Sequence, residues 1–256
     1  MTETIATSSI PADTRLLRVH SYESLGTYDG PGIRLVVFLQ GCNFRCLYCA
    51  NPDTITMQGG TLTPIDEIVQ KAVNERPFFG KKGGVTFSGG EPTLQAESLL
   101  PLVDALHEHG ISVCIDTNGS ISTEAARELY RRVDLVLLDV KQFNPLRHRN
   151  LTGHDNSDTL ATAAFLAEVG TPFWLRYVLV PGYSDDKADI EALCRHLQGN
   201  TALQRVEILP YHTLGMHKYE PLGMEYKLKD VPYNTPQQLE AARELFARYF
   251  VDVRVN

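Results

Sequence analysis

The fold is indicated first by the run Gly41-Cys42-Asn43-Phe44-Arg45-Cys46-Leu47-Tyr48-Cys49, which holds three of the chain's five cysteines in a C-x3-C-x2-C spacing. Thiolates are soft ligands that select iron–sulfur clusters, zinc or Cu(I). A [4Fe-4S] cluster normally takes four cysteines, so three would leave one iron open to a non-protein ligand. An open coordination position is typical of a catalytic metal site, whereas a structural site is normally closed.

Two plainer interpretations of the cysteine run remain open. A structural zinc site would need a fourth Cys or His at a matching spacing, and none follows Cys49 until His107. The three cysteines could instead be ordinary core residues, as could Phe44 and Tyr48 beside them. The missing fourth ligand favours the iron–sulfur site over zinc.

Short apolar segments of β type alternate with amphipathic segments along the rest of the chain. This alternation predicts a parallel sheet with helices on its outside. The predicted strands are 34–40, 84–88, 112–116, 135–140, 173–180 and 206–209. The predicted helices are 64–76, 95–109, 123–131, 158–169, 186–198 and 235–249. Six strand–helix units are too few for a complete eight-fold barrel.

Polar or glycine-rich segments stand at the end of nearly every predicted strand. They are the cysteine run, Ser88-Gly89-Gly90-Glu91, Asp116-Thr117-Asn118-Gly119, Asp139-Val140-Lys141 and Tyr211-His212, while Arg176 lies within the fifth strand. In parallel α/β folds, sites form at the carboxyl ends of the strands. We therefore expect these segments to converge on one face.

Two of the motifs have an alternative interpretation that involves no ligand. Asp116 and Asp139 would supply hard oxygen ligands for a small cation if the third and fourth strands are adjacent. The alternative is an ion pair between Asp139 and Lys141, together with an Asn-Gly turn. Gly89-Gly90 lets the backbone approach a ligand closely, and Glu91 can accept hydrogen bonds from an amine. The alternative there is a glycine-rich turn that opens the next helix.

Composition describes a globular protein that is expected to form one domain over residues 17–256. Hydrophobic residues make up 43% of the 256 residues and charged residues 21%, and the net charge of −7 argues against general affinity for nucleic acid or anionic membranes. The basic runs Lys81-Lys82 and Arg147-His148-Arg149 are typical of solvated loops. Residues 1–16 lack a secretory signal and are expected to be a disordered extension.

The cysteine count indicates a reducing compartment. Five cysteines, an odd number with three in one loop, do not resemble a disulfide framework. A cytoplasmic location is therefore expected. Cys114 and Cys194 lie in apolar contexts and are expected to be inert core thiols.

The cysteine spacing, followed after the second strand by Gly89-Gly90-Glu91, resembles the radical S-adenosylmethionine (SAM) superfamily. The resemblance implies an α/β fold, the partial (β/α)6 TIM-like barrel of that superfamily. It also implies a [4Fe-4S] cluster whose open iron is chelated by SAM. An electron from the cluster then cleaves SAM and releases a 5′-deoxyadenosyl radical.

A closer resemblance, from about Leu17 to the C-terminus, is to the pyruvate formate-lyase activating enzymes. The segments that carry it are 28–34, 88–91, 116–119, 138–142, 176–182 and 207–219. No cysteine lies between Asn51 and Ser88, where activators of several other glycyl radical enzymes carry a cysteine-rich insert. The implied function is that of an oxidoreductase of anaerobic glucose metabolism, which abstracts a hydrogen atom from a glycine of pyruvate formate-lyase.

The resemblance also implies roles for individual residues. The cluster ligands are Cys42, Cys46 and Cys49. The residues implied to contact SAM are Tyr48, Cys49, Ala50, Gly89, Gly90, Glu91, Asp139, Val140, Lys141, Gln142, Phe143 and His212. A monovalent cation, Na⁺ or K⁺, is assigned to Asp116, Thr117, Asp139 and the carbonyl of Leu137. Catalytic positions near the reacting centre are Asp29, Lys141 and Arg176.

The implied partners are pyruvate formate-lyase, through its glycine loop, and flavodoxin or a similar electron donor. No nucleic acid or membrane partner is expected. The chain is expected to be a monomer. Two rival functions remain. One is a radical SAM enzyme that acts on another glycyl radical protein or on a small molecule. The other is a non-catalytic scaffold that binds zinc.

Overall fold

The computed structural model describes residues 15–256, which form nine strands and seven α-helices. The strands are β1 Leu16–Gly26, β2 Arg34–Leu39, β3 Thr61–Pro64, β4 Gly84–Gly89, β5 Ser112–Thr117, β6 Leu135–Asp139, β7 Phe173–Leu179, β8 Leu203–Pro210 and β9 Val253–Val255. The helices are α1 Ile65–Phe79, α2 Ala96–Glu108, α3 Glu124–Arg132, α4 Pro145–Thr152, α5 Ser157–Val169, α6 Lys187–Leu197 and α7 Pro236–Ala247. The extension expected at residues 1–16 lies almost entirely outside the described residues.

All strands belong to one sheet, in the order β3-β1-β2-β4-β5-β6-β7-β8-β9. From β2 to β9 every neighbouring pair is parallel, and only β1 pairs antiparallel with β2 and β3. The six predicted strands are all present as β2 and β4–β8, and the sheet does not close on itself. The expected parallel sheet of a partial barrel is thereby confirmed.

The main core lies between the sheet and the helices that cover its outside. Apolar residues of β2 and β4–β8 pack there against α1, α2, α3, α5, α6 and α7. Inside the barrel, a smaller apolar cluster contains Cys114, Leu135, Leu137 and Trp174. Cys114 and Cys194 are both fully buried, as expected of core thiols. No helix within residues 15–256 is long and apolar enough to cross a membrane.

Several helices begin at capping residues directly after the loops that follow the strands. Thr123 accepts a hydrogen bond from the backbone N–H of Ala126 at the start of α3, and Asp186 caps α6 in the same way. Thr235 and Gln238 form a capping box at α7. Such caps satisfy N–H groups that have no partner within the helix. They therefore fix where each loop ends and its helix begins.

Four elements were not predicted. β1 and β3 extend the sheet beyond β2 and are largely polar, and β9 has only three residues. Helix α4 has almost no apolar stripe and is capped by Asn144. The interpretation of Arg147-His148-Arg149 as a solvated loop is wrong, because His148 is fully buried in this helix.

Candidate active site

A cavity of about 230 Å³ opens at the carboxyl ends of the parallel strands. We call it the cysteine cavity, because Cys42, Cys46 and Cys49 form part of its wall. The predicted site residues that line it are Cys42, Cys46, Tyr48, Cys49, Ala50, Gly89, Gly90, Asp116, Thr117, Asp139, Lys141, Arg176 and His212. The segments that follow the strands therefore converge on one face, as the sequence predicted.

The cysteine loop is held from two sides by backbone hydrogen bonds. Cys42 donates to the carbonyl of Ile55 at 3.1 Å on one side. On the other, Arg45 and Leu47 donate to the carbonyls of the last two residues of α4, at 2.8 and 2.9 Å. Phe44 packs between the rings of His148, at 5.6 Å, and His154, at 5.2 Å. Helix α4, missed from the sequence, is thus the support on which the cysteine loop rests.

The environment of the three thiols disfavours free thiolates. Burial raises the pKa of the Cys46 thiol to about 12, although Lys141 opposes the rise. Burial also raises the pKa of Cys42 and of Cys49. A thiolate can exist in such a site when a metal centre compensates its charge, and metal binding then releases the protons. The cavity is therefore chemically suited to a cationic metal cluster.

Within residues 15–256, no three His, Cys, Asp or Glu side chains lie close enough together to hold one ion. In a [4Fe-4S] cluster each cysteine binds a different iron, so its sulfur ligands stand farther apart than those of a single ion. A cluster therefore does not require the three cysteine sulfurs to converge on one point.

A further part of the cavity wall is the backbone of Gly89-Gly90. Gly89 has a φ of +102°, a conformation that favours glycine. A side chain at Gly90 would collide with the carbonyl oxygen of Gly41 in the cysteine loop. The two glycines therefore bring strand β4 against the cysteine loop and leave the cavity free of side chains on this wall.

Glu91 does not line the cavity, and its carboxylate is occupied within the protein. It accepts hydrogen bonds from the hydroxyls of Thr93 and Thr117, at 2.5 and 2.7 Å, and from the backbone N–H of Asn118 at 2.8 Å. It is 1% exposed. Glu91 therefore ties the segment after β4 to the segment after β5, which positions both at the rim of the cavity.

Two ion pairs form part of the lining of the cavity. Lys141 Nζ lies 2.6 Å from Asp139 Oδ2, so the ion pair left open by the sequence is present. Burial alone would lower the pKa of Lys141, but the Asp139 carboxylate outweighs it and raises that pKa. Arg176 Nη1 lies 3.2 Å from Asp116 Oδ2. The other oxygen of Asp116 is buried without a hydrogen-bond partner, which leaves an acceptor available to a ligand.

Asp29 lies outside the cavity wall, on the loop between β1 and β2, and reaches towards Arg176 at 4.0 Å. Its backbone carbonyl accepts a hydrogen bond from Thr86 at 2.6 Å, and Arg34 in turn donates to the Thr86 hydroxyl. Burial raises the pKa of the Asp29 carboxyl to about 6, with Arg176 opposing the rise. Asp29 is therefore a titratable group beside the cavity.

The remaining predicted residues lie behind the cavity. Gln142 is fully buried and donates to the carbonyl of Tyr183, while its oxygen accepts from the backbone of Phe143 and Asn144. Phe143 packs on His196, Val140 is fully buried, and Leu137 belongs to the apolar cluster inside the barrel. These side chains fix the segment that carries Asp139 and Lys141.

Ser88 and Glu207 were named from the sequence only as parts of longer segments, and neither was assigned a role. Ser88 donates to Asp116 at 2.8 Å. Glu207 stands beside Arg176 in the register of β7 and β8, and their charged atoms approach to 3.7 Å. A signal was present for Glu207, since a lone carboxylate between Val206 and Ile208 in an apolar strand is unusual.

Comparisons with known proteins agree with this geometry. Residues 36–194 match the family described as the Radical SAM superfamily. The chain is 43% identical over 235 residues to the pyruvate formate-lyase-activating enzyme of Streptococcus mutans serotype c, with 89% of each chain covered. It is 43% identical over 233 residues to the enzyme of that name from Staphylococcus aureus (strain USA300), with 88% of this chain and 92% of the relative covered.

Solved structures show the same fold. Streptococcus suis SuiB bound to precursor peptide SuiA superposes with a TM-score of 0.69 at 16% identity, over 88% of this chain and 49% of that one. A domain of pyruvate-formate lyase-activating enzyme from Bacteroides vulgatus gives a TM-score of 0.58 at 21% identity, over 68% of this chain and 99% of that one. At these identities the likeness concerns the fold alone.

Proposed function

Because this chain belongs to the radical SAM superfamily and, within it, to the pyruvate formate-lyase activating enzymes, we propose that its cysteine cavity is where a glycine of pyruvate formate-lyase loses a hydrogen atom. The observation that carries the proposal is the lining of that cavity. Three cysteines, a side-chain-free glycine wall and two ion pairs surround one opening at the ends of the strands. This combination suits a metal cluster and a zwitterionic cofactor side by side.

Cys42, Cys46 and Cys49 would hold a [4Fe-4S] cluster, and Tyr48, Ala50, Gly90 and His212 would contact SAM around it. When bound, the cluster and SAM supply an electron and a 5′-deoxyadenosyl group that is reactive enough to take a hydrogen atom from a glycine Cα. The chain itself binds and orients these groups and keeps water away from them. Lys141 carries the positive charge that the SAM carboxylate would meet.

Asp116, Thr117, Asp139 and the carbonyl of Leu137 would hold a monovalent cation, Na⁺ or K⁺. The buried oxygen of Asp116 that has no hydrogen-bond partner supports this part of the proposal. Lys141 and Arg176 offset the charge of the two carboxylates only in part, so a bound cation would reduce the repulsion between them and the SAM carboxylate. We therefore expect the cation to strengthen SAM binding, measured as a lower Kd in Na⁺ or K⁺ than in a bulky organic cation at equal ionic strength.

The partners proposed are pyruvate formate-lyase, which supplies the glycine loop, and flavodoxin or a similar one-electron donor. The activase would act as a monomer in the cytoplasm. The five free cysteines of the described chain fit a reducing compartment. Arg176 would meet the incoming loop because it lines the cavity, and Asp29 would act beside it, since its carboxylate lies 4.0 Å from Arg176.

The test is an electron paramagnetic resonance spectrum of pyruvate formate-lyase after anaerobic incubation with this protein, SAM and a reductant. We expect a glycyl doublet that disappears when the target glycine is replaced by alanine, and also when Cys42→Ala replaces the wild type. The absence of a doublet, with deoxyadenosine released in response to another glycyl radical protein or a small molecule, would contradict the proposal and identify the true substrate.

A further inference from the structure

The segment that follows β8 lies against the cysteine loop, directly after its last cysteine. Residues 213–222 contain two short 3₁₀ turns, Met216–Lys218 and Glu220–Leu222, and we call this segment the strap. Gly215 of the strap packs so closely on Ala50 that a Cβ atom there would collide with the Ala50 carbonyl oxygen. The strap therefore touches the turn by which the chain leaves the cysteine loop.

Two adjacent side chains of the strap bond to this turn. The Tyr219 hydroxyl donates a hydrogen bond to the backbone carbonyl of Cys49 at 2.9 Å. Lys218 Nζ donates to Asn51 Oδ1 at 3.0 Å and lies 3.1 Å from Asp53 Oδ2, with which it forms an ion pair. The partners are 165 to 170 residues apart in the sequence, so the contacts exist only because the fold brings the two segments together.

The Tyr219 ring is itself fixed by an aromatic cluster. It is 5% exposed and meets the ring of Tyr226 edge to face, with the ring centroids 4.9 Å apart. The hydroxyl of Tyr226 lies 2.9 Å from that of Tyr211, a residue that lines the cysteine cavity. Tyr48 of the cysteine loop packs against the same cluster. Packed rings therefore aim the Tyr219 hydroxyl at its carbonyl partner.

The turn held by the strap also affects the sulfur of the last cysteine. Burial raises the pKa of the Cys49 thiol, whereas hydrogen bonding from the backbone N–H of Asn51 and the charge of Lys218 both oppose the rise. A donor or a cation beside a thiolate stabilises its negative charge. Hydrogen bonds to the sulfurs are among the features that set the reduction potential of an iron–sulfur cluster. The position of this turn therefore matters for the electronic state of a cluster bound there.

We propose that Tyr219 and Lys218 are positioning residues, which hold the turn at residues 49–51 against the cluster and SAM. The inference rests on the proposed function, since it takes Cys49 as a ligand of a [4Fe-4S] cluster. Both side chains act through the turn and not by contact with the reacting atoms. Groups that orient a metal ligand in this way tune the metal centre as well as its affinity. Ala50, within the turn, lines the cavity where SAM would bind.

The test is a reductive titration of the reconstituted holoenzyme at one fixed pH without SAM, followed by the electron paramagnetic resonance signal of the reduced cluster. Tyr219→Phe removes the hydroxyl and keeps the ring. We expect a more negative midpoint potential, with the ratio of reduced to oxidised cluster at a fixed potential lowered about threefold, because a looser turn donates less well to the sulfur. The Kd of SAM, measured separately, should rise about fivefold, as expected for the loss of one hydrogen bond.

Lys218→Met removes the second contact together with a positive charge. We expect its midpoint potential to be more negative than that of Tyr219→Phe, and Lys218→Arg, which keeps the charge and a donor, to restore most of the wild-type value. The matched controls are Tyr233→Phe and Lys227→Met, which change exposed side chains outside the strap. The Tyr233 hydroxyl is also hydrogen-bonded, to Thr213 at 2.7 Å, but it does not hold the turn. Both controls should keep the wild-type potential and the wild-type Kd of SAM.

An unchanged midpoint potential in both Tyr219→Phe and Lys218→Met would overturn the inference. A lower free energy of unfolding with the potential and the Kd of SAM unchanged would overturn it too, since the strap would then only support the fold. If Tyr219→Phe folds poorly, Lys218→Met and its Arg rescue decide the outcome. In each case a glycyl doublet formed by the wild-type enzyme leaves the proposed function standing. If the reconstituted wild type shows no iron–sulfur signal, the proposed function itself fails and the inference fails with it.

Discussion

The two ends of the partial barrel both contain buried charges, but the charges are held differently. At the carboxyl ends, Lys141 lies 2.6 Å from Asp139 and Arg176 lies 3.2 Å from Asp116. At the amino ends, Glu207 stays at 3.6 Å from Arg205 and 3.7 Å from Arg176. The pairs at the carboxyl ends are thus at hydrogen-bonding distance, whereas those at the amino ends are longer; unpaired buried oxygens occur at both ends, on Asp116 and on Glu207.

This difference shows that close ion pairs hold the charged side chains in place at the carboxyl end but not at the amino end. Close ion pairs orient their side chains before any cofactor arrives, and such preorganisation is what a site for charged reactants requires. The cysteine cavity therefore has the arrangement of a prebuilt site for charged ligands.

The largest effect is expected from removing a cluster ligand at the carboxyl end. Cys42→Ala should lower SAM cleavage by at least about a thousandfold, because the chemistry depends on the metal group as a unit. The visible absorbance of the reconstituted protein and deoxyadenosine release check this. Cys194→Ala is the matched control, since this buried thiol lies in the outer core and should keep both signals. If Cys42→Ala remained active, the cysteine cavity would not be the reaction site, and the distinction between the two ends of the barrel would fail.

The carboxyl end was predicted well because its residues stand in loops with sequence signatures. The cysteine spacing, Gly89-Gly90 and Asp139-Val140-Lys141 follow apolar strands, and parallel strands bring such segments to one face. Helix α4 was missed because it lacks an apolar stripe, and its buried face is made by His148 and the residues that hold the cysteine loop. Its packing is decided by tertiary contacts that no local pattern reveals.

The amino end could not be predicted from the sequence for a related reason. Trp174, Arg205 and Glu207 lie within strands, where only the register of β7 and β8 brings them together. Glu91 shows the converse difficulty, because the sequence predicts a contact with SAM but does not reveal how the carboxylate is held within the protein. In the structure that carboxylate is occupied by Thr93, Thr117 and Asn118. Hydrogen-bond partners distant in sequence decide whether a polar residue is available.

An effect of intermediate size is expected when a close ion pair at the carboxyl end of the barrel is broken, because the protein then loses stability. Lys141→Met leaves Asp139 without its partner, and both side chains are at least four-fifths buried. We expect the free energy of unfolding to fall by about 3 kcal/mol, and the double variant Asp139→Asn/Lys141→Met to regain part of this loss. Urea denaturation of the holoenzyme measures the change in the free energy of unfolding for both variants.

The matched control for that experiment is Lys227→Met, which breaks an exposed pair with Glu225. An exposed pair contributes at most about 1 kcal/mol, so the change in unfolding free energy should be small. Equal losses in the two variants would mean that the close pair at the carboxyl end is no better organised than a surface pair. The comparison between the two ends would then lose its physical basis.

The smallest effect concerns Asp29, which stands between the two ends and pairs only loosely with Arg176 at 4.0 Å. Burial raises the pKa of its carboxyl from 3.8 to about 6, so the folded protein binds a proton that the unfolded chain has already lost. The stabilisation from this proton is therefore present at low pH and is lost as the pH rises through about 6. As the pH rises from 5 to 7, the loss of this stabilisation should lower the free energy of unfolding by about 1 kcal/mol. Asp29→Asn should remove that slope in denaturation measured across this range, whereas Asp66→Asn, at an exposed position, should retain it. If Asp29→Asn kept the wild-type slope, Asp29 would already be ionised by a close partner and would belong with the organised pairs of the carboxyl end.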